Sequence, residues 1–372
     1  MATLLATPVQ ATPAPFRSAT PECDPWSAPG WVNLWWQYFD GRRRLLPLAL
    51  PGRSPGFVLP LVAAHCRGFR LVQGAGSNSQ RRDLACPRDC WPTLAAHFVA
   101  AGGWDWLDLD RLPEPTAQGW GRDLAECGCR LLISPTARQR YLLLHRPWPL
   151  VEQDWSASLR HRLPREERAL LRRGARLETI TAPAAATAAF ERCLTVEASG
   201  WKGRQGTAML SRPAAAAFYR QLVLQLAQDQ LLRLHLLLCE EELLAFDLAV
   251  VTPRALASIK IGMSESWKKW SPGIVLQLWV LRAAHATGFG EYDFLGDDDH
   301  RKADWTPHFR SLCRLQAFAP TFRGRALAAL RTHHYRPERF RSASIQPLAS
   351  RTRSASPAAI AAGSVANRPS PS

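Results

Sequence analysis

Four short stretches of this chain carry residue types that can do chemistry. In "EASGWKGRQGTAM" (Glu197–Met209) a carboxylate closes an apolar helical pattern and a Gly-rich loop follows. Glu197 can take a proton there, Lys202 can hold an anionic group, and Trp201 can cover a substrate. Gly203 and Gly206 leave the loop free to shape itself around a ligand. In "SPGI", Ser271 is a good N-cap residue, Pro272 fits the first helical position, and Gly273 lets a ligand approach the backbone ahead of Ile274. Free amides and the positive dipole end at such a helix start suit a phosphate, although an ordinary cap would read the same way.

The stretch "EYDFLGDDDHRKADW" (Glu291–Trp305) begins as a short buried strand through Tyr292 and Asp293 and ends in three acids, Asp297 to Asp299. The carboxyl end of a strand in an α/β sheet opens onto a crevice, so these acids face a ligand and not the core. Asp293, inside the strand, must be paired or titrate abnormally. Lys302 is its first expected partner and Lys260 its second. An Asp293–Lys302 pair would orient an acceptor or tune a base. Of the three loop acids, Asp297 is the one expected to matter, with Tyr292 beside it. Asp247 lies mid-strand in "LLAFDLAVV" and is either solvated at an edge or a cleft residue.

The elements that hold these residues are legible from punctuation and periodicity. Residues 1–24 and 336–372 are rich in Pro, Ala, Ser and Thr and read as disordered. Between them the chain repeats itself. "RLLPLAL" and "FVLPLVAA" match "LLRLHLLLC" and "LLAFDLAVV" as hairpins, and Ser77 and Ser79 match Ser264 and Ser266 at an offset of 187. Each half then has a helix opened by proline, at Pro92 and Pro272, and closed by glycine. A strand follows each, "WDWLDLD" and "YDFLGDD". The helix–strand order makes each of those strands parallel to a sheet neighbour. The halves are 25–150 and 176–335, joined by a basic helical linker at 151–175 whose arginines form a solvated face. The first half lacks the W-K-G block, and its Asp105 has no following lysine. It therefore reads as a degenerate, structural repeat.

Composition narrows the partners. The net charge is +16, carried by 42 Arg and 5 Lys, and all five lysines lie between Lys202 and Lys302. The charge suits anionic ligands, but no nucleic-acid motif accompanies it. There is no run long and apolar enough to span a membrane and no secretory leader, so a cytoplasmic protein is expected. Nine cysteines sit mostly in apolar surroundings; Cys86, Cys90, Cys127 and Cys129 lack zinc-knuckle spacing, and no metal is expected.

The second half reads β-α-α-β-β-β-α-β-β, and that order resembles the GNAT superfamily of acyltransferases. The blocks at Glu197–Met209, "AFDLAVV", "SPGIVLQLWVLRAA" and "YDFLGDDDHRKADW", with the Trp-rich "PWSAPGWVNLWWQYF", look like the cellulose-biosynthesis (CelD-like) branch, whose chains carry two GNAT-like halves. The resemblance implies an α+β fold of two tandem GNAT-like domains, with mixed, mostly antiparallel sheets flanked by helices. It implies acetyl-CoA or another acyl-CoA as co-substrate, with its pyrophosphate at Ser271, Pro272, Gly273 and Ile274 and with Lys260 as a point charge near the phosphates or the substrate. The helix start departs from the usual GNAT Q/R-x-x-G-x-G/A pattern, which leaves the phosphate contacts open. Acyl transfer to an amine or hydroxyl of a small molecule or exopolysaccharide precursor then needs a base, an oxyanion donor and an acid. Glu197, Asp293 and Lys302 are the catalytic candidates. Trp201, Lys202, Gly203, Asp247, Tyr292 and Asp297 are the substrate-binding ones. Two alternatives stand beside this: aminoacyl transfer from charged tRNA, as in Fem-type ligases, and a GNAT-like scaffold without catalysis.

Overall fold

A computed structural model gives the fold and describes residue 16 and residues 24–39, 44–49, 59–75 and 81–334. The tail 336–372, the leader apart from Phe16 and Asp24, and the repeat positions Ser77 and Ser79 lie outside these residues.

The first half contains α1 (Pro29–Phe39), β1 (Arg44–Leu48), β2 (Leu59–Cys66), β3 (Phe69–Gly74), α2 (Trp91–Ala101), β4 (Trp106–Pro113), α3 (Glu114–Glu126) and β5 (Arg130–Leu143). The short α4 (Trp148–Gln153) and α5 (Ala157–Leu171) follow. The second half has β6 (Ala175–Ile180), α6 (Pro183–Ser199), α7 (Trp201–Arg204), α8 (Pro213–Gln228), β7 (Leu232–Cys239), β8 (Glu242–Val251) and β9 (Ala255–Met263). It ends with α9 (Pro272–Ala286), β10 (Glu291–Asp293), α10 (His300–Ala303), β11 (Phe309–Phe318) and α11 (Phe322–His334).

All eleven strands join one sheet in the order β1-β2-β3-β4-β11-β5-β10-β9-β8-β7-β6. Pairing is antiparallel except at β3–β4 and β9–β10, the two places where a helix carries the chain across to a parallel neighbour. β7 and β8 are almost wholly buried because helices cover both their faces. On one face α6 and α8 pack through Phe190, Leu194, Leu222 and Leu226 against Leu234, Leu236, Phe246 and Leu248. On the other, α5 and α9 pack through Leu159, Leu163, Leu276 and Leu281 against Leu237, Ala245 and Ala249. The 151–175 segment thus buries an apolar stripe on the second half, while Arg160, Arg165 and Arg168 stay exposed.

The last strand does not close the second half. β11 lies between β4 and β5 in the first half, with Leu315 opposite Leu109 on one side and Ile133 on the other. β5 serves both halves: its first part pairs with β11, and Tyr141–Leu143 pair with β10. Nothing local in the sequence could reveal this, because an apolar strand matches any open edge and its partners lie about 180 residues away. Among the described residues no helix is long and apolar enough to cross a membrane, and no group of three or more His, Cys, Asp and Glu is placed to hold a metal ion.

Candidate functional site

β9 and β10 run side by side for three rungs only: Glu291 opposite Ala255, Tyr292 opposite Leu256, Asp293 opposite Ala257. β10 then stops, while β9 continues beside β8 as far as Met263. The part of β9 beyond Ala257 therefore has β8 on one edge and no β10 on the other, which opens a notch. α9 starts at the far end of that edge, where Gly273 approaches Met263; a Cβ on Gly273 would meet the Met263 sulfur at 3.5 Å, an ordinary contact. Pro272 occupies the first turn as expected. Ser271 differs from expectation. It holds the cap position in a left-handed conformation (φ 50°, ψ 47°), and its side chain makes no capping bond. Its carbonyl instead accepts from the Ile274 amide at 3.0 Å. Capping serines need an extended backbone to aim the hydroxyl at the next turn, and this one lacks it.

The β8–β9 register slips between Leu248 and Ala249, which face Lys260 and Ser258, so Ile259 is the extra residue of a bulge. The bulge breaks the alternation of faces. Ile259 packs against the α6–α8 core, and Lys260 also turns to that side, its Nζ 5.3 Å from the Tyr219 ring centre. Lys260 therefore lies on the side of the sheet opposite α9, beside the notch and away from the Ser271–Ile274 backbone. Burial lowers its pKa, which Glu197 partly restores and Arg212 lowers further.

Glu197 is 3% exposed, at the end of α6. Its Oε1 accepts from Lys202 Nζ at 2.8 Å and its Oε2 from the Met209 amide at 2.8 Å. Lys202 also donates to the Ile261 carbonyl on β9 at 3.1 Å. The W-K-G segment is thereby tied to the notch edge. Trp201 opens the helical turn α7. Gly203 is required there, since a Cβ would fall 1.8 Å from the Ala198 carbonyl oxygen.

At the notch apex, Asp293 is 1% exposed, and its partner is not Lys302. Its carboxylate pairs with Arg81 from the first half, accepts from the Leu295 amide at 2.9 Å, and has Arg310 Nη1 at 3.6 Å. Lys302 donates to two carbonyls, Leu295 at 2.7 Å and Asp297 at 2.6 Å, and so closes the loop after β10. An ammonium with three donors suits that task. Asp297 is mostly exposed and pairs with Arg111 at 2.5 Å; Asp298, not singled out from the sequence, is gripped by Arg140. Arg81 and Arg310 carry no motif. The signal available was the demand of Asp293 for a cation.

Asp247 is neither edge-facing nor open. It is 2% exposed under α9, accepting from Ser258 Oγ at 2.6 Å and from the Tyr292 hydroxyl at 2.7 Å. Burial raises its pKa to about 6 despite those two bonds.

The first half has the same ladder, Leu71–Gln73 beside Trp106–Asp108, but its notch is filled. Arg82 lies where β3 ends. Its amide donates to the Arg111 carbonyl at 2.9 Å and its guanidinium to the Ala75 carbonyl. Asp105, the counterpart of Asp293, is held by Arg70 and Arg323. Both repeats thus secure the buried aspartate with arginine.

Residues 157–303 match the family model of the acetyltransferase (GNAT) domain. The fold is GNAT-like. The matched segment runs from α5 to α10 and contains the notch, the W-K-G loop and the loop after β10. FemX superposes with a TM-score of 0.54 at 11% identity, over 77% of this chain and 90% of that one. A conserved protein of unknown function from Bacteroides thetaiotaomicron VPI-5482 gives 0.51 at 11% identity, over 81% and 93%. The C-terminal domain of a candidate lysylphosphatidylglycerol synthetase from Agrobacterium fabrum gives 0.50 at 12% identity, over 81% and 91%. No curated protein matches the chain.

Proposed function

We propose that the second half transfers an acyl group from an acyl-CoA to an amine or hydroxyl of a small molecule or saccharide precursor, in the cytoplasm, as a relative of the cellulose-biosynthesis-like branch. The observation that carries this reading is the three-rung parallel ladder that opens beside the start of α9. The edge of Ser258–Met263 that no strand pairs, its Ile261 carbonyl met by Lys202, suits the amide groups of an extended donor arm. The amide at Gly273 suits its pyrophosphate, because the first turn of a helix leaves it without an internal partner, and Ile274, whose amide is held by the Ser271 carbonyl, fixes the turn that presents it. Lys260 faces the other side, where the acceptor enters, and burial makes its ammonium a readier proton donor than an exposed lysine's. Glu197, Asp293 and Lys302 are already bonded; we assign them to holding the W-K-G loop, the notch apex and the loop after β10. Trp201, Lys202, Gly203 and Asp297 frame the acceptor entrance, and Asp247 and Tyr292 support the strands behind it. The first half, 25–150, with its notch filled by Arg82, supports the second across the 151–175 linker.

Isothermal titration of the full chain with coenzyme A tests this. Binding that is lost when Gly273 carries a side chain supports it. No heat at millimolar coenzyme A would sink it. The second reading, aminoacyl transfer from charged tRNA, is favoured by the net charge of +16. Retention of charged tRNA that falls steeply with salt would select it.

A further inference from the structure

The Arg81–Asp293 pair is the centre of a buried polar cluster that both halves build. Arg81 Nη1 donates to Asp293 and also to Gln139 Oε1 at 3.1 Å, and Nη2 pairs with Asp24 at 2.8 Å. Gln139 on β5 stands directly opposite Arg310 on β11, so both side chains leave the same face of the sheet. Arg310 pairs with Glu291 and lies over the Tyr141 ring at 3.9 Å.

Two donors of this cluster have no hydrogen-bond partner among the described residues. Gln139 is 0% exposed and its Nε2 is unmet, and Arg310 Nη1 is unmet as well, 3.6 Å being too long a reach to Asp293. Buried donors are almost always satisfied, and leaving one unsatisfied costs about 1–3 kcal/mol. The remaining side chains decide what can meet these two. Three carboxyl groups, Asp24, Asp293 and Glu291, face two guanidinium groups, Arg81 and Arg310. A further anion would be repelled, and an ammonium has no lone pair to offer. An amide carbonyl could accept, but it has no proton to return to a carboxyl group from the same atom. A hydroxyl accepts twice and donates once. Arg310 and Glu291 are the most exposed members, 26% and 21% by side chain, so the cluster comes nearest to solvent on their side.

We propose that Gln139 and Arg310, set by Arg81 between Asp24 and Asp293, form a composite subsite that binds a hydroxyl group of a neutral, polyhydroxylated acyl acceptor. This rests on the acyl-transfer reading only for calling the ligand an acceptor. The subsite lies at the end of β10, so a bound hydroxyl would fix the acceptor against the notch. It also gives the first half a part in binding, through Asp24, Arg81 and Gln139. Burial raises the Asp24 pKa to about 6, against the pull of Arg81, which suits a carboxyl group that shares a proton with a hydroxyl.

Saturation-transfer NMR on the full chain, with methyl α-D-glucopyranoside as probe and succinate and acetamide as controls, tests the subsite. The expected result is saturable glucoside binding that weakens about tenfold or more in Gln139→Leu and in Arg310→Lys. Arg310→Lys keeps the charge but loses the unmet donor, and it covers the case in which Gln139→Leu fails to fold. Coenzyme A titration runs in parallel. Coenzyme A bound normally by variants that lose the glucoside supports the proposal. Glucoside that does not bind, binds both folded variants as well as the parent, or is displaced by succinate or acetamide overturns it. Glucoside binding with these losses but no coenzyme A binding would leave the subsite standing and remove the donor reading.

Discussion

The buried carboxyl group of Asp247 makes a quantitative prediction about pH. Its pKa rises from 3.8 to about 6 because burial under α9 disfavours the charged form more than Ser258 and Tyr292 favour it. The folded protein therefore binds this proton more tightly than the unfolded chain does. The protonated group costs nothing below pH 3.8, and the penalty grows as pH rises through about 6. The distance between those values, at about 1.4 kcal/mol for each pH unit, makes a loss of about 3 kcal/mol that is complete above neutrality. Asp247→Asn removes the titration and keeps the shape. The amide oxygen accepts from one hydroxyl, and the amide nitrogen donates to the other, since a hydroxyl can turn to accept. Urea unfolding of both proteins from pH 4 to 7.5 should show the parent losing about 2.4 kcal/mol relative to the variant, since the first part of the loss falls below pH 4. Asp24 also titrates near 6, but it is present in both proteins and cancels in the difference. A stability difference that stays flat across that range would refute the argument, because an uncharged or unstrained Asp247 is the only state that produces it.

Other outcomes follow from single contacts. Lys202→Met leaves the Glu197 carboxylate buried with one amide partner and should cost about 3 kcal/mol in urea unfolding. Gly203→Ala should displace the W-K-G turn, because the added methyl meets a backbone carbonyl that cannot yield; its unfolding midpoint should fall and its Tyr219-side amides should exchange faster. Gly273→Ala should melt like the parent, since the methyl makes an ordinary contact with Met263, while coenzyme A affinity falls. Arg81→Met should destabilise by about 3–5 kcal/mol at pH 7.5 by leaving Asp24 and Asp293 without a shared cation, and by less at pH 5, where Asp24 binds a proton.

What the sequence determined by itself is the local grammar. The Pro-opened helix at Pro272–Ala286, the hairpins of β7 and β8, and the two parallel strands after crossover helices all follow from spacing and punctuation that act within a dozen residues. The W-K-G loop was visible because a carboxylate closes an apolar helix just before a Gly-rich segment, and the acids after β10 because charge gathers where an apolar strand ends. The tertiary structure alone decided the partners. Asp293 needed a cation, and the nearby Lys302 was the obvious choice, but the fold brings Arg81 from more than two hundred residues away and sends Lys302 to two carbonyls. Lys260 changed faces because of one bulged residue, which no alternation pattern announces. The interlocked sheet, with β11 between β4 and β5, was likewise decided by the tertiary structure. Backbone pairing is chemically uniform, so sequence marks where a strand forms but not which distant edge receives it.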